Sequence, residues 1–169
     1  DGRHLQFLLR RGVGDGFAET LLTGGHGQTL LIEGPRGDFL LEEEATEPAV
    51  FVAVGDGFAP IKSLVEHAIA IDNAASLHLF RVDDSPPGSQ LDNLCRSWND
   101  ALDNFSYRRL DPDVGPAEAA QVIAEAFTDL ARYRLYVAGS ADFVDGLIER
   151  LNALGVRAEN THADRIAVA

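Results

Sequence analysis

Apolar and polar positions follow two regimes along this chain, and they change over near residue 48. Downstream of it, short apolar runs alternate with stretches of helical spacing. Residues 50–54 (Val-Phe-Val-Ala-Val) are an unbroken apolar run, the mark of a strand buried on both faces in a parallel sheet. The run ends in Gly55-Asp56-Gly57 and leads into a helical pattern from Ile61 to Asp72, with Leu64, Val65, Ala68 and Ile69 on one face. Pro60 sits just inside that helix, where its missing N–H costs nothing. The spacing then predicts a strand at 77–82, a helix at 90–102 burying Leu91, Leu94, Cys95 and Trp98, and a strand at 105–110. A long helix follows at 116–132, using Val122, Ile123, Ala126, Phe127 and Leu130, then a strand at 135–138 and a helix at 143–154 stopped by Gly155. Either 157–162 or 166–168 completes the sheet. Five strands separated by helices imply an α/β fold, a doubly wound five-stranded parallel sheet with its site at the carboxyl ends of the strands.

Upstream of residue 48 the pattern is shorter and glycine-rich. Strands are expected at 4–10, 29–33 and 38–41, and a short helix at 17–22, with glycine turns or loops at 12–16, 23–27 and 34–37. Short strands joined by glycine turns resemble the end of an antiparallel barrel. The acidic run Glu42-Glu43-Glu44 and Pro48 place a boundary there, giving domains 1–45 and 46–169.

Composition narrows the partners. A net charge of −13 disfavours nucleic acid and anionic lipid, since both need basic surface. No apolar run approaches a membrane span. One cysteine, Cys95, argues against a disulfide framework, and no leader-peptide pattern opens the chain, so a cytoplasmic setting is expected. The chain opens at Asp1 and contains no methionine, which reads as a piece of something longer. The five histidines show no metal-ligand spacing, so no metal is expected, and His67 reads as a surface residue.

Strand, glycine turn and helix start, in that order, are how α/β proteins hold the phosphates of a nucleotide. The order of Gly34-Pro35-Arg36-Gly37-Asp38-Phe39, the 48–54 strand, Gly55-Asp56-Gly57-Phe58-Ala59-Pro60 and Tyr136-Val137-Ala138-Gly139-Ser140 resembles the ferredoxin–NADP reductase superfamily. Residues 58–69 are most similar to the reductase components of multicomponent oxygenases and to deoxyglucoseen-type reductases. The resemblance implies a pyridine-nucleotide domain (46–169) preceded by a remnant of an antiparallel flavin-binding barrel (1–45). It implies an oxidoreductase module that passes hydride from NAD(P)H to FAD and electrons on to an acceptor protein. Gly55, Asp56, Gly57, Phe58, Ala59 and Pro60 would face the dinucleotide pyrophosphate, and Gly139 and Ser140 would lie at its nicotinamide end. Ser140 reads equally as the N-cap of the following helix. Asp83 and Asp84, after the second strand, suit a ribose 2′-OH and favour NADH, while Arg81 is the nearby base that argues for NADPH. No catalytic residue is singled out.

The resemblance also locates departures. The family's flavin-gripping Arg-x-Tyr-Ser segment has no counterpart here, so FAD would need barrel strands lying upstream or on another chain. A flavin-contacting hydroxyl is replaced by Ala18, and the cysteine of a Cys-Gly motif by Ala138. The Thr between the two turn glycines is replaced by Asp56, a carboxylate beside a phosphate site, where like charges at ~4 Å cost on the order of 1–4 kcal/mol. One cysteine cannot hold an iron–sulfur cluster. Two readings stay open: a reductase module whose partner is an electron-transfer protein or a missing flavin or iron–sulfur domain, and a catalytically inactive reductase-like domain serving interaction or regulation. The oligomeric state is open.

Overall fold

The computed structural model describes residues 5–9, 16–25, 27, 29–34, 37–72 and 74–167. By contact they form two compact units, the described residues before Phe39 and the stretch Phe39–Ala167. That division lies at 38/39 where the sequence pattern placed 45/46, because Phe39 and Leu41 pack against the core of the second unit.

In the first unit α1 (Phe17–Thr23) forms where a short helix is expected. The three expected strands do not: residues 5–9, 29–33 and 38–41 carry no ladder, and residues 4 and 10 lie outside the described residues, as do most of the 12–16 turn, His26 in the 23–27 loop and residues 35 and 36 of the 34–37 turn. Three short segments have too little partner surface to hold a sheet among themselves. Leu5, Phe7, Leu31 and Ile32 are exposed as a result.

The second unit is the sheet. In chain order it runs β1 (Ala49–Val54), α2 (Phe58–Ile71), β2 (Leu77–Val82), α3 (Gln90–Ala101), β3 (Phe105–Leu110), α4 (Pro116–Ala124), β4 (Arg134–Ser140), α5 (Ala141–Ala153) and β5 (Thr161–Ile166). All strands are parallel, in the order β3-β2-β1-β4-β5, with Phe51 in register with Leu79 on one side and Tyr136 on the other. β1 lies at the centre and is buried on both faces, as its unbroken apolar run requires. Val50 and Val52 face the core under α4 and α5, with Ile123, Val144, Leu147 and Leu151. Phe51 and Ala53 face the core under α2, with Ile61, Val65 and Cys95 of α3.

Several bounds shift by a few residues, α2 starting at Phe58 rather than Ile61 and β4 running from Arg134 to Ser140, and larger differences fall in α4, β5 and the buried face of α3. The helix expected at 116–132 stops at Ala124. Ala126 and Phe127 donate to carbonyls three residues back, which tightens the last turn, and Phe127 then swings onto His78 and Tyr133, at centroid distances of 4.8 and 4.4 Å. Leu130 is still buried, from a short 3-10 turn (Leu130–Arg132) that the Asp129 carboxylate caps through the Ala131 N–H. β5 matches neither expected range: a 3-10 turn at Ala158–Asn160 starts it later than 157, and it ends at Ile166. In α3 the residue that is fully buried beside Cys95 is Asp92, while Leu91, Leu94 and Trp98 are only half-buried.

Candidate functional site

The strand order places a topological switch between β1 and β4, since the chain leaves β1 toward β2 on one side and returns as β4 on the other. The crevice outside the carboxyl ends of those two strands is where such sheets bind ligands. Gly55–Gly57 caps β1 as one turn of 3-10 helix and runs directly into α2. Gly139 and Ser140 end β4 and lead into α5.

The glycines are there for different reasons. Gly55 turns the chain with φ of 54°, a left-handed conformation that an L side chain resists. Gly57 has an ordinary φ, but a Cβ on it would lie 2.0 Å from the Ala138 carbonyl oxygen and 2.7 Å from the Gly139 nitrogen. Gly139 is its counterpart, since a Cβ there would lie 2.7 Å from the Val54 Cβ. The turn after β1 and the end of β4 therefore interlock backbone on backbone. Ala138, where the resemblance expects cysteine, is fully buried within this contact.

Both helices that start at the switch point lack a side-chain cap. α2 has Gly57 at its N-cap, and Ser140, at the N-cap of α5, makes no cap hydrogen bond. α3, by contrast, is closed by the Ser89 hydroxyl, which accepts from the Asp92 N–H. Uncapped first-turn amides and the positive end of the helix dipole suit an anion. Asp56 is exposed on the turn, Ala59 is exposed and Pro60 half-buried in the first turn of α2. α2 has Gly57 rather than Asp56 at its N-cap, and Asp56 stands in a solvent-exposed position, the other role open to a carboxylate there.

Phe58, the first residue of α2, is buried, and its ring covers the Arg81 guanidinium with Cζ 4.5 Å from the centroid. Arg81 is 2% exposed, and its Nη2 lies 2.6 Å from Asp83 Oδ2. Asp83 is thus consumed by an ion pair and a hydrogen bond from the Ser85 hydroxyl. Burial by itself raises the Asp83 carboxyl, but Ser85 and Arg81 outweigh it and hold it below the ordinary carboxylate range. Of the two carboxylates expected at a ribose, only Asp84 is exposed.

Behind this pair lies a polar cluster that the sequence pattern did not bring out. Asp92, fully buried, accepts from the Gly88 N–H at 2.8 Å, Arg96 Nε at 3.0 Å and the Tyr107 hydroxyl at 2.9 Å. Burial pushes its carboxyl up, yet these three donors together bring it down to about 2. Tyr107 is pushed well above the ordinary phenol range, first by burial and then by its bond to Asp92. Arg109 donates through Nη2 to the carbonyls of Asp83 (3.1 Å) and Ser85, fixing the loop after β2. One signal in the sequence did point here: Ser89-x-x-Asp92 is a helix-start signature, and a Ser and an Asp at that spacing face each other.

The remaining candidates are structural. Burial raises the Cys95 thiol to about 12, so it is held neutral. His67 is exposed and 2.8 Å from Glu43 Oε1. His78 lies between the Ser76 and Ser106 hydroxyls at 2.9 and 2.7 Å, and burial lowers its pKa. No group of metal-ligating side chains forms among the described residues. An open hollow of about 540 Å³ lies at the opposite, amino end of the sheet, lined by residues 42–47 and Arg134. In α1, Ala18 offers no hydroxyl, and the Thr20 and Thr23 hydroxyls donate back to Gly16 O and Glu19 O. The hydroxyl that the resemblance expects against a flavin pyrophosphate is therefore missing at Ala18.

No protein-family model matches the sequence. The chain is 25% identical to the reductase component of propane 2-monooxygenase from Rhodococcus jostii, over 96% of this chain and 47% of that protein. It is 30% identical to reductase component 1 of terephthalate 1,2-dioxygenase from Comamonas, over 83% of this chain and 44% of that protein. The CS-b5R domains of human Ncb5or, in the NAD+ form, superpose with a TM-score of 0.69 at 14% identity, over 93% of this chain and 47% of that one. The chain's homologues are thus reductase components of oxygenase systems, and its fold is that of a ferredoxin reductase-like NAD(P)-binding domain. It spans about half the length of the curated relatives it matches. Among the described residues no helix is long and apolar enough to cross a membrane.

Proposed function

We propose that this chain contributes the pyridine-nucleotide domain of a flavin-dependent NAD(P)H reductase that passes electrons to an acceptor protein. The observation that carries the reading is the pair of helix starts, α2 and α5, that meet at the switch point of the sheet without side-chain caps, the kind of crevice in which α/β sheets hold nucleotides. Bound there, NAD(P)H supplies hydride for FAD. The chain's own work is to grip and orient: Gly55–Gly57 lets the backbone come close to the pyrophosphate, and Gly139 and Ser140 border the nicotinamide end. Asp84 offers a carboxylate to the adenosine ribose, which favours NADH over NADPH. Because Ala18 offers no hydroxyl to a flavin pyrophosphate, we assign FAD to barrel strands other than these residues, upstream of them or on another chain. The acceptor is then an electron-transfer protein or an attached flavin or iron–sulfur domain, in the cytoplasm.

Calorimetric titration with NADH and NADPH tests the reading. Saturable heat with NADH, weaker with NADPH, is the expected result, and no heat with either at millimolar concentration overturns it. One observation favours a second reading, an inactive domain kept for interaction or regulation: Gly57 and Gly139 are demanded by the protein's own packing, so the motif persists with or without a ligand. That reading predicts no dye reduction with NADH and added FAD even when the intact parent protein is assayed.

A further inference from the structure

Arg81 is the largest fully buried side chain among the described residues, and it is poorly provided for. One nitrogen meets Asp83, one face of the guanidinium meets the Phe58 ring, and neither Nε nor Nη1 has a hydrogen-bond partner. A buried charge with unmet donors destabilises a fold relative to an apolar side chain of the same size. What Arg81 does supply is a connection. Phe58 is the first residue of α2, immediately after the glycine turn. Asp83 opens the loop after β2, whose next carbonyls are gripped by Arg109 from the neighbouring position in β3. Arg81 is the side chain that touches both. The flat cation stacks where a lysine's ammonium would not, and the same fork reaches a carboxylate.

We propose that Arg81 is a positioning residue, which ties the head of α2 to the 83–89 loop and so fixes the distance between the phosphate-binding turn and the ribose-binding loop. The inference rests on the nucleotide site proposed above. At 2% exposure Arg81 itself does not reach a ligand, so its effect passes through Phe58 and Asp83. If it acts this way, Arg81 and Asp83 behave as one unit toward the nucleotide.

The test is NADH affinity, by calorimetry, for the wild-type chain, Arg81→Met, Asp83→Asn, the double variant and Arg81→Lys, each with a thermal melt. The expected result is an affinity loss of about ten-fold in either single variant and no further loss in the double, 1.4 kcal/mol per ten-fold. The double variant, which leaves no unpaired partner, recovers melting temperature without recovering affinity, and Arg81→Lys, which keeps the charge, recovers part of the affinity. Hydrogen exchange adds a second readout: NADH slows exchange at the amides of Gly57 to Ala59 and of Asp84, Ser85 and Gly88 together in the wild type, and at only one of the two groups in the double variant. Wild-type affinity in a folded double variant, or losses that add, overturn the inference while leaving the site intact. If the double variant fails to fold, wild-type affinity in a folded Arg81→Lys chain overturns it equally. A wild-type chain that binds no dinucleotide overturns the site and this inference together.

Discussion

The carboxyl edge of the sheet is built in two ways. At β1 and β4 the chain closes on itself through glycine: Gly57 against Ala138 and Gly139 against Val54, with no polar side chain in the contact. At β2 and β3 the same edge is closed by side chains, through Arg81, Asp83, Asp92, Tyr107 and Arg109. The first half has no room and no adjustable part. The second is a network whose members can be exchanged, at a graded cost, without moving the backbone. In one sheet, shape is fixed at the switch point between β1 and β4, and chemistry is left variable at the ends of β2 and β3.

The comparison breaks most sharply at Gly57. Replacing it with Ala drives a methyl into the Ala138 carbonyl, which is backbone and cannot swing aside. Gly57→Ala is expected to destabilise the chain by about 4 kcal/mol, read as a lower urea midpoint. In the polar half the largest effect falls on Asp92. Asp92→Ala removes the acceptor shared by the half-buried Tyr107 hydroxyl and the Gly88 N–H and is expected to cost about 2 kcal/mol, less than Gly57→Ala because Arg96 and the exposed Gly88 can turn to water.

Asp92 also gives the polar half a pH dependence that the glycine half lacks. Its carboxyl titrates near 2 in the folded chain and near its ordinary value, about 3.9, in the unfolded one. The folded state is therefore the one that binds this proton less readily. The stabilisation is complete above pH ~4 and disappears as pH falls toward 2. Stability measured across that window should drop in the wild type, and the part due to this residue should be missing in Asp92→Ala. The smallest effect is expected at Asp56. Exchanging its carboxylate for Thr removes a like charge from the turn, on the order of 1 kcal/mol, so NADH should bind about five-fold more tightly. Weaker binding by Asp56→Thr would mean the carboxylate is part of the grip.

What the sequence makes legible follows from range. β2 can be bounded from it because it lies inside the sheet and is buried almost throughout, and β3, an edge strand, because buried Phe105 and Leu110 mark its two ends. The tail after α4 is misleading for a physical reason: Phe127 and Leu130 keep helical spacing and do reach the core, but by a turn rather than a helix, which leaves Ala126 exposed. β5 has too little apolar pattern to place, being an edge strand whose residues are mostly half-buried. At the site, the glycine turn can be read locally, whereas the need for Gly57 comes from Ala138, far along the chain. Arg81 and Asp83 stand two apart at a strand end and so share a face, a pairing the alternation of strand side chains allows. Asp92 stays hidden because a carboxylate on a helix ordinarily faces water.

The two outermost strands bear on behaviour at high concentration. β3 carries Arg108 and Arg109 just before it ends at Leu110, and β5 carries Asp164 and Arg165 before Ile166. Charged borders of this kind discourage lateral docking of a foreign strand, whose own backbone would have to shed water beside them. Growth into an extended ribbon is blocked at both margins, and the sheet ends at five strands.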